Sequence, residues 1–231
     1  MSKIIRIQKL KKKITQYNQE NTILPECSLS IDRGDMVAIT GQSGIGKSTL
    51  LNIIGCLDHP TSGNYFLENH NISTLSLEEK ALIRKKTFGY IFQQYWLIKH
   101  LTIIENIELA LEYLDGNQHN TREIALATLA SIGIPQYAEY YPMHLSGGQQ
   151  QKASIARAIV TKPSIIIADE PTGALDHNNS MQIMDLLKKI NREQQTTIIV
   201  VTHDREIAGL CNRRLPMETL FNNKEKMYAQ A

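Results

Sequence analysis

Long apolar runs are missing from this sequence: no stretch approaches the roughly 18 consecutive apolar residues that a membrane-spanning helix requires. If the protein works at a membrane, another chain must cross it. Cysteine is scarce as well. Cys27, Cys56 and Cys211 lie far apart, at spacings that match neither a zinc site nor the disulfide framework of a secreted domain, so a reduced cytosolic setting is expected. Charge of one sign is not in excess: 25 basic residues stand against 23 acidic ones, a net charge of +2, and nothing global points to nucleic acid. The one basic cluster, Lys9 to Lys13, reads as a solvated face or strand edge. The amino-terminal run MSKIIRIQKLKKK has charges among its apolar residues and no apolar h-region, so no signal peptide is expected. Internal repeats and low-complexity segments are absent too.

What is present suffices for a core. With 231 residues and 42% hydrophobic content the chain makes one large domain or two lobes. Its organising stretch is GQSGIGKST, Gly41 to Thr49, in which Gly41, Gly46, Lys47 and Ser48 satisfy G-x-x-x-x-G-K-[ST]. An apolar run, Met36 to Thr40, precedes it and an amphipathic run, Leu50 to Leu57, follows, which reads as strand, loop, helix. Gly41, Gly44 and Gly46 let successive N–H groups turn inward around an anion, and the expected anion is a nucleotide's phosphate tail. Lys47 would reach the β- and γ-phosphates, the Ser48 hydroxyl would ligate Mg²⁺, and the helix adds the positive end of its dipole. This loop alone does not separate an ATPase from a kinase or a GTPase.

Ile4 to Leu10 and Ser28 to Ile31 read as short strands, with Tyr17 in the polar segment between them. Asn64 to Leu67 is a further strand, Ser76 to Lys86 a helix opened by Ser-Leu-Glu-Glu, and Thr87 to Phe92 a strand ending in Gln93-Gln94. The pattern then turns helical: Ile103 to Tyr113, Thr121 to Ile132 and Gly147 to Val160. Strand and helix alternate again from Ser164, so residues 1–94 and 163–231 are expected to form one α/β lobe and 95–162 an inserted helical lobe.

Two more stretches carry chemistry. Ser164 to Glu170, SIIIADE, ends a buried strand with two carboxylates, at the edge where open α/β sheets put their ligands. Asp169 would hold Mg²⁺ through water, and Glu170 is placed to polarise an attacking water. Leu145 to Gln151, LSGGQQQ, puts Ser146 at the N-cap of a long helix with Gly147 and Gly148 in its first turn, a second anion cradle. That cradle binds something else, caps a helix without a ligand, or completes a nucleotide site on another copy of the chain; spacing alone does not choose.

GQSGIGKST, LSGGQ, the strand ending Asp169-Glu170, then Ala174-Leu175-Asp176 and His203, in that order, resemble the nucleotide-binding subunit of ATP-binding cassette (ABC) transporters. The resemblance covers Ile4 to Cys211. It implies a P-loop NTPase (RecA-like) α/β core with an antiparallel β edge subdomain and an inserted α-helical subdomain. It also implies an Mg-ATP hydrolase that pairs head to tail, with Ser146 and Gly148 of one copy touching the γ-phosphate held by Lys47 of the other, and with Ser43, Ser48, Thr49, Gly147 and Gln149 as further nucleotide-binding residues. Asp176 would lie at the dimer seam, and Gln93 would sense Mg²⁺ and the attacking water. His203, which follows the strand TTIIVVT, would contact the γ-phosphate. Tyr17 is similar to the aromatic that stacks on adenine.

Tyr95 and Trp96 follow Gln93 in the region where the family meets its membrane subunit; ordinary core is the alternative for Trp96. Phrases such as NIIGCLDHPTSGNY and FGYIFQQYWLIKHLT are similar to macrolide exporters and lipoprotein-releasing ATPases, which implies a separate permease and a peripheral place on the cytoplasmic face of the membrane. The rival is a regulatory ATPase acting on a cytosolic or cell-division partner. Two departures stand out. Ile45 replaces the small residue common between the loop glycines, and Arg213 to Ala231 lacks the Gly-containing strand turn that usually follows the histidine, so no last strand is assigned there.

Overall fold

Apolar and polar residues alternate at the amino terminus, and the computed structural model, which describes residues 2–16, 19–115 and 120–221, turns that alternation into a sheet. The chain divides into two units, one drawn from Met1–Arg84 and Ile199–Ala231, the other from Lys85–Ile198. The first opens with β1 (Lys3–Gln16), β2 (Gln19–Asp32), β3 (Met36–Thr40), α1 (Lys47–Ile54), β4 (Ser62–Leu67), β5 (His70–Asn71) and α2 (Leu77–Thr87), whose end passes the boundary. The second holds β6 (Phe88–Phe92), α3 (Ile103–Asp115), α4 (Thr121–Ser131), α5 (Gly147–Ile159), β7 (Ile165–Asp169), α6 (His177–Gln194) and the start of β8 (Thr197–Val201). The chain then returns to the first unit with α7 (Arg205–Gly209), β9 (Arg213–Pro216) and α8 (Met217–Leu220).

In the first unit, β2, β1, β4 and β5 form an antiparallel sheet in that order. Ile5, Ile7 and Leu10 of β1 are buried, with Ile5 opposite Ile31 of β2 and Leu67 of β4. Both strands run well beyond the segments expected from apolar alternation. Polar pairs carry them further: Lys13 reaches Glu20 at 2.7 Å and Lys12 reaches Asp58 at 2.6 Å. The basic cluster is thus a strand segment with carboxylate partners. β3 is buried from Met36 to Ile39 and pairs in parallel with β9, Val37 opposite Arg213. That last strand forms without the expected Gly turn because Arg213 anchors it, donating to Asp35 Oδ2 at 3.0 Å and to the Ser30 carbonyl at 3.1 Å.

In the second unit, β6 and β7 pair in parallel, Phe88 opposite Ile165 through Phe92 opposite Asp169. β7 is buried from Ile165 to Ala168, as an apolar run covered on both faces should be. α5 packs on β6, α3, α4 and α6, burying Ala153, Ile155, Ala156 and Ile159. At about 25 cal/mol per Å², each large apolar side chain buried this way contributes about 1.5–3 kcal/mol. α5 is therefore the element against which the second unit's loops are set.

Candidate functional site

The phosphate-loop residues lie where the spacing puts them. Buried β3 delivers the chain at Thr40, Gly41 to Gly46 form the loop, and α1 starts at Lys47. Ser43, Gly44 and Ser48 are exposed; Lys47 and Thr49 are half-buried. Gly46 is the N-cap of α1 at φ +100°, and a Cβ there would lie 2.8 Å from the Ile23 carbonyl oxygen. Only glycine meets both demands. The cap residue supplies no side-chain bond and the first turn of α1 holds no acidic residue, so the helix's positive end is left for a ligand. Lys47 Nζ donates to the carbonyls of Gly41 and Gln42, both at 2.8 Å, and so arches over the loop. Ile45 turns its Cγ2 toward Gly41, which leaves the backbone cradle intact.

His203 follows β8 and is exposed. With Thr40, Gly41, Arg205, Arg214 and Glu218 it lines a cavity of about 610 Å³. The first unit therefore joins His203 and the start of the phosphate loop at one opening. Arg205 and Arg214 at that opening were not legible from motif spacing.

In the second unit Asp169 and Glu170 end β7, both half-buried. Glu170 has φ +46°, a left-handed conformation that costs about 1–3 kcal/mol in a residue other than glycine. A turn follows at once, with Gly173 N bonded to Glu170 O at 3.1 Å and Leu175 N to Thr172 O at 3.0 Å. Gly173 lies against Gln93: a Cβ there would be 2.8 Å from Gln93 Nε2. The structure thus brings Gln93 to the turn that carries Glu170. Asp176 caps α6, accepting from Asn179 N at 3.0 Å, and its bonds to the Asn179 backbone and side chain hold its carboxyl below the usual range.

Ser146 caps α5 through a capping box. Its Oγ accepts from Gln149 N at 3.4 Å, and Gln149 Oε1 accepts from Ser146 N at 2.8 Å. Gly147 is half-buried and Gly148 buried. Gln149 is fixed from behind, its Nε2 donating to Tyr137 Oη at 2.8 Å.

Two residues of α5 that motif reading missed tie it to these loops. Gln151 Nε2 donates to the Pro171 carbonyl, directly after Glu170. Arg157 donates to the carbonyls of Trp96 and Tyr95, at 2.5 and 2.9 Å, holding two successive residues at φ +47° and +60°. Burial pulls the Arg157 guanidinium down from its ordinary range. The helical phase offered a signal, since 151, 154 and 158 share the buried face. Trp96 itself is 62% exposed and stacks on Phe92 at 4.3 Å between ring centroids, so the core reading of it is overturned. Tyr17 lies outside the described residues.

Residues 24–173 match the family model described as ABC transporter. Over 210 residues the chain is 43% identical to the macrolide export ATP-binding/permease protein MacB of Burkholderia pseudomallei, covering 91% of this chain and 32% of that protein. With MacB of Shewanella sp. (strain ANA-3) it is 45% identical over 195 residues, 84% of this chain and 30% of that one. The chain spans about a third of the length of these curated relatives. Among solved structures, the dimeric post-hydrolysis state of the ATP-binding cassette MJ0796 bound to ADP and Pi superposes with a TM-score of 0.84 at 40% identity, covering 92% of this chain and 93% of that one. The dimeric structure of MJ0796 as a bacterial ABC transporter cassette gives 0.84 at 41% identity, covering 92% and 94%. With its phosphate loop, paired carboxylates and capped LSGGQ helix in this fold, the chain belongs to the ABC transporter family, as an ATPase cassette of the P-loop NTPase class.

Proposed function

We propose that this cassette binds Mg-ATP, hydrolyses it with Glu170 as the base, and powers export or extraction of a macrolide, peptide or lipoprotein through a membrane permease. The observation that supports this most is the end of β7. A buried apolar strand delivers Asp169 and Glu170 in succession, and Glu170 is held left-handed by a closed turn against Gln93. Two acids that merely capped the next helix would not require that strained backbone. Asp176 already serves as that cap.

Residues 1–94 and 163–231 are assigned as the nucleotide lobe and 95–162 as the helical lobe. Lys47 exchanges its two loop carbonyls for phosphate oxygens, and the N–H groups of Gly41, Ser43, Gly44, Gly46 and Thr49 surround the phosphates. Mg²⁺ would be held by the Ser48 hydroxyl and the Gln93 amide oxygen, and through water by the Asp169 carboxylate, an oxygen-only set that suits a hard cation. When bound, the ion neutralises charge on the phosphate oxygens. Glu170 accepts a proton from the attacking water, His203 contacts the γ-phosphate, and Tyr17 stacks on adenine. Ser146, Gly147, Gly148 and Gln149 complete the site on a second copy, with Asp176 at the seam. The MJ0796 cassettes are dimers, which supports that pairing.

A permease partner is supported by the second unit's surface. Trp96, Tyr113 and Met143 are 62%, 60% and 79% exposed, apolar side chains that a partner's surface would cover. Among the described residues no helix is long and apolar enough to cross a membrane. Similarity to MacB ATP-binding/permease proteins supports a peripheral place at the cytoplasmic face. The test is steady-state ATPase activity of the purified chain and of Glu170→Gln. We expect Mg-dependent turnover in the first and ATP binding without turnover in the second; an unchanged rate in Glu170→Gln removes the base. Recovery of the chain with a multi-span protein from detergent-solubilised membranes tests the permease.

A further inference from the structure

We infer that Gln151 is a positioning residue for Glu170, tying the turn after β7 to the LSGGQ helix. The inference rests on the reading of Glu170 as the base. Gln151 lies five residues beyond the N-cap Ser146 and is 0% exposed. Its Nε2 donates to the carbonyl of Pro171, the residue that follows Glu170. Its own Oε1 is buried with no hydrogen-bond partner among the described residues, as is Ser154 Oγ one turn further along. Methionine or leucine would fill the same space without burying an unmatched acceptor, so the glutamine costs stability that its volume does not explain. Its amide donor does explain it.

The turn needs that donor. Glu170 is held at φ +46°, and the two bonds that close the turn, Gly173 N to Glu170 O and Leu175 N to Thr172 O, are local. Local bonds let the turn pivot as a body; the bond from Gln151 fixes it to a long helix whose own face is buried. The link also has a direction. Five residues of helix span about 7.5 Å, so a ligand docking at Ser146 acts on a rigid rod that ends at the Pro171 carbonyl. A second copy's nucleotide, arriving at Ser146, would thereby set the aim of this copy's Glu170.

The test uses the full chain and four variants. Gln151→Met keeps length and volume; we expect ATP affinity near wild type and kcat lower by roughly 10- to 100-fold, the penalty of a misplaced catalytic group. Ser154→Ala, on the same buried face but away from the turn, should keep kcat. Gln151→Glu supplies a readout that a packing role would not move. Its rate relative to wild type should rise as pH falls, because only the protonated carboxyl donates to Pro171 O. Wild-type kcat in Gln151→Met, or an equal loss in Ser154→Ala, would overturn the link. Should Gln151→Met fail to fold, a flat pH ratio in Gln151→Glu overturns it alone. If Glu170→Gln itself retained turnover, the base assignment beneath the link would fall instead.

Discussion

Gly173 and Gln93 meet so closely that a single added methyl on the glycine would sit 2.8 Å from the glutamine's Nε2. Eighty positions apart in the chain, they bring the end of β6 to the turn that carries Glu170. The contact is with the far end of a flexible side chain, so it can be relieved without unfolding anything. Gly173→Ala should therefore melt close to wild type while shifting Gln93 off its place. We expect a several-fold loss of kcat with a higher Mg²⁺ requirement, read by titrating Mg²⁺ in the ATPase assay. A rate and Mg²⁺ dependence equal to wild type would remove Gln93 from the site.

Lys47 spends its charge on two loop carbonyls in this structure, so its replacement unfastens the loop as well as removing a phosphate contact. Lys47→Ala should weaken ATP binding at least tenfold, equivalent to about 1.4 kcal/mol. A fluorescent ATP analogue measures this directly. The fold should survive, because α1 buries Leu50, Leu51, Ile53 and Ile54 independently of the lysine.

Arg157 clamps the carbonyls of Tyr95 and Trp96 with two nitrogens, which a lysine cannot reproduce. Arg157→Lys should cost about 1–3 kcal/mol of stability, as loss of a largely buried charged hydrogen bond does. The chain contains one tryptophan, so the emission of Trp96 reports the change without labelling. A shifted emission with faster amide exchange near Tyr95 and Trp96 is expected. Unaltered emission would show that the left-handed pair holds itself.

His59 supplies a pH dependence away from the nucleotide. Lys80 Nζ lies 2.6 Å from His59 Nδ1, which must then be the unprotonated, accepting nitrogen. Burial first, then the Lys80 charge, hold the His59 pKa below its ordinary 6.5; Asp58 opposes and Lys12 reinforces the shift. Around the pair stand Cys56, whose thiol burial pushes up to about 11, and Arg84, which donates to the Cys56 carbonyl at 2.8 Å. Because the folded state binds the His59 proton less readily than the unfolded chain, its contribution is complete above pH 6.5. It is lost as pH falls through the lowered folded pKa. Thermal melts of wild type and His59→Asn between pH 5 and 7 check this: the wild-type midpoint should fall more steeply, since asparagine keeps an acceptor that does not titrate.

Much of this was legible because it is local. Gly41 to Thr49 states a loop between strand and helix by spacing alone, and Ser76 and Ser146 announce helix starts that form close to where they were expected. The rest depends on partners far along the chain. β9 exists because Arg213 reaches Asp35 and Ser30, about 180 residues earlier, which no turn signal encodes. The extra length of β1 and β2 comes from cross-strand polar pairs, invisible to a search for apolar alternation. Gln151 hid within a run of three glutamines, where only helical phase separates a buried one from its neighbours.

The most direct measurement is the mass of the chain in solution, by light scattering, with and without Mg-ATP in a Glu170→Gln background. Glu170→Gln alone should double in mass when ATP is added. Glu170→Gln with Ser146→Arg should bind ATP through Lys47 and remain a monomer. Equal doubling of both chains, or ATP bound by the first with no change in mass, would contradict a nucleotide shared between Lys47 of one copy and Ser146 of the next.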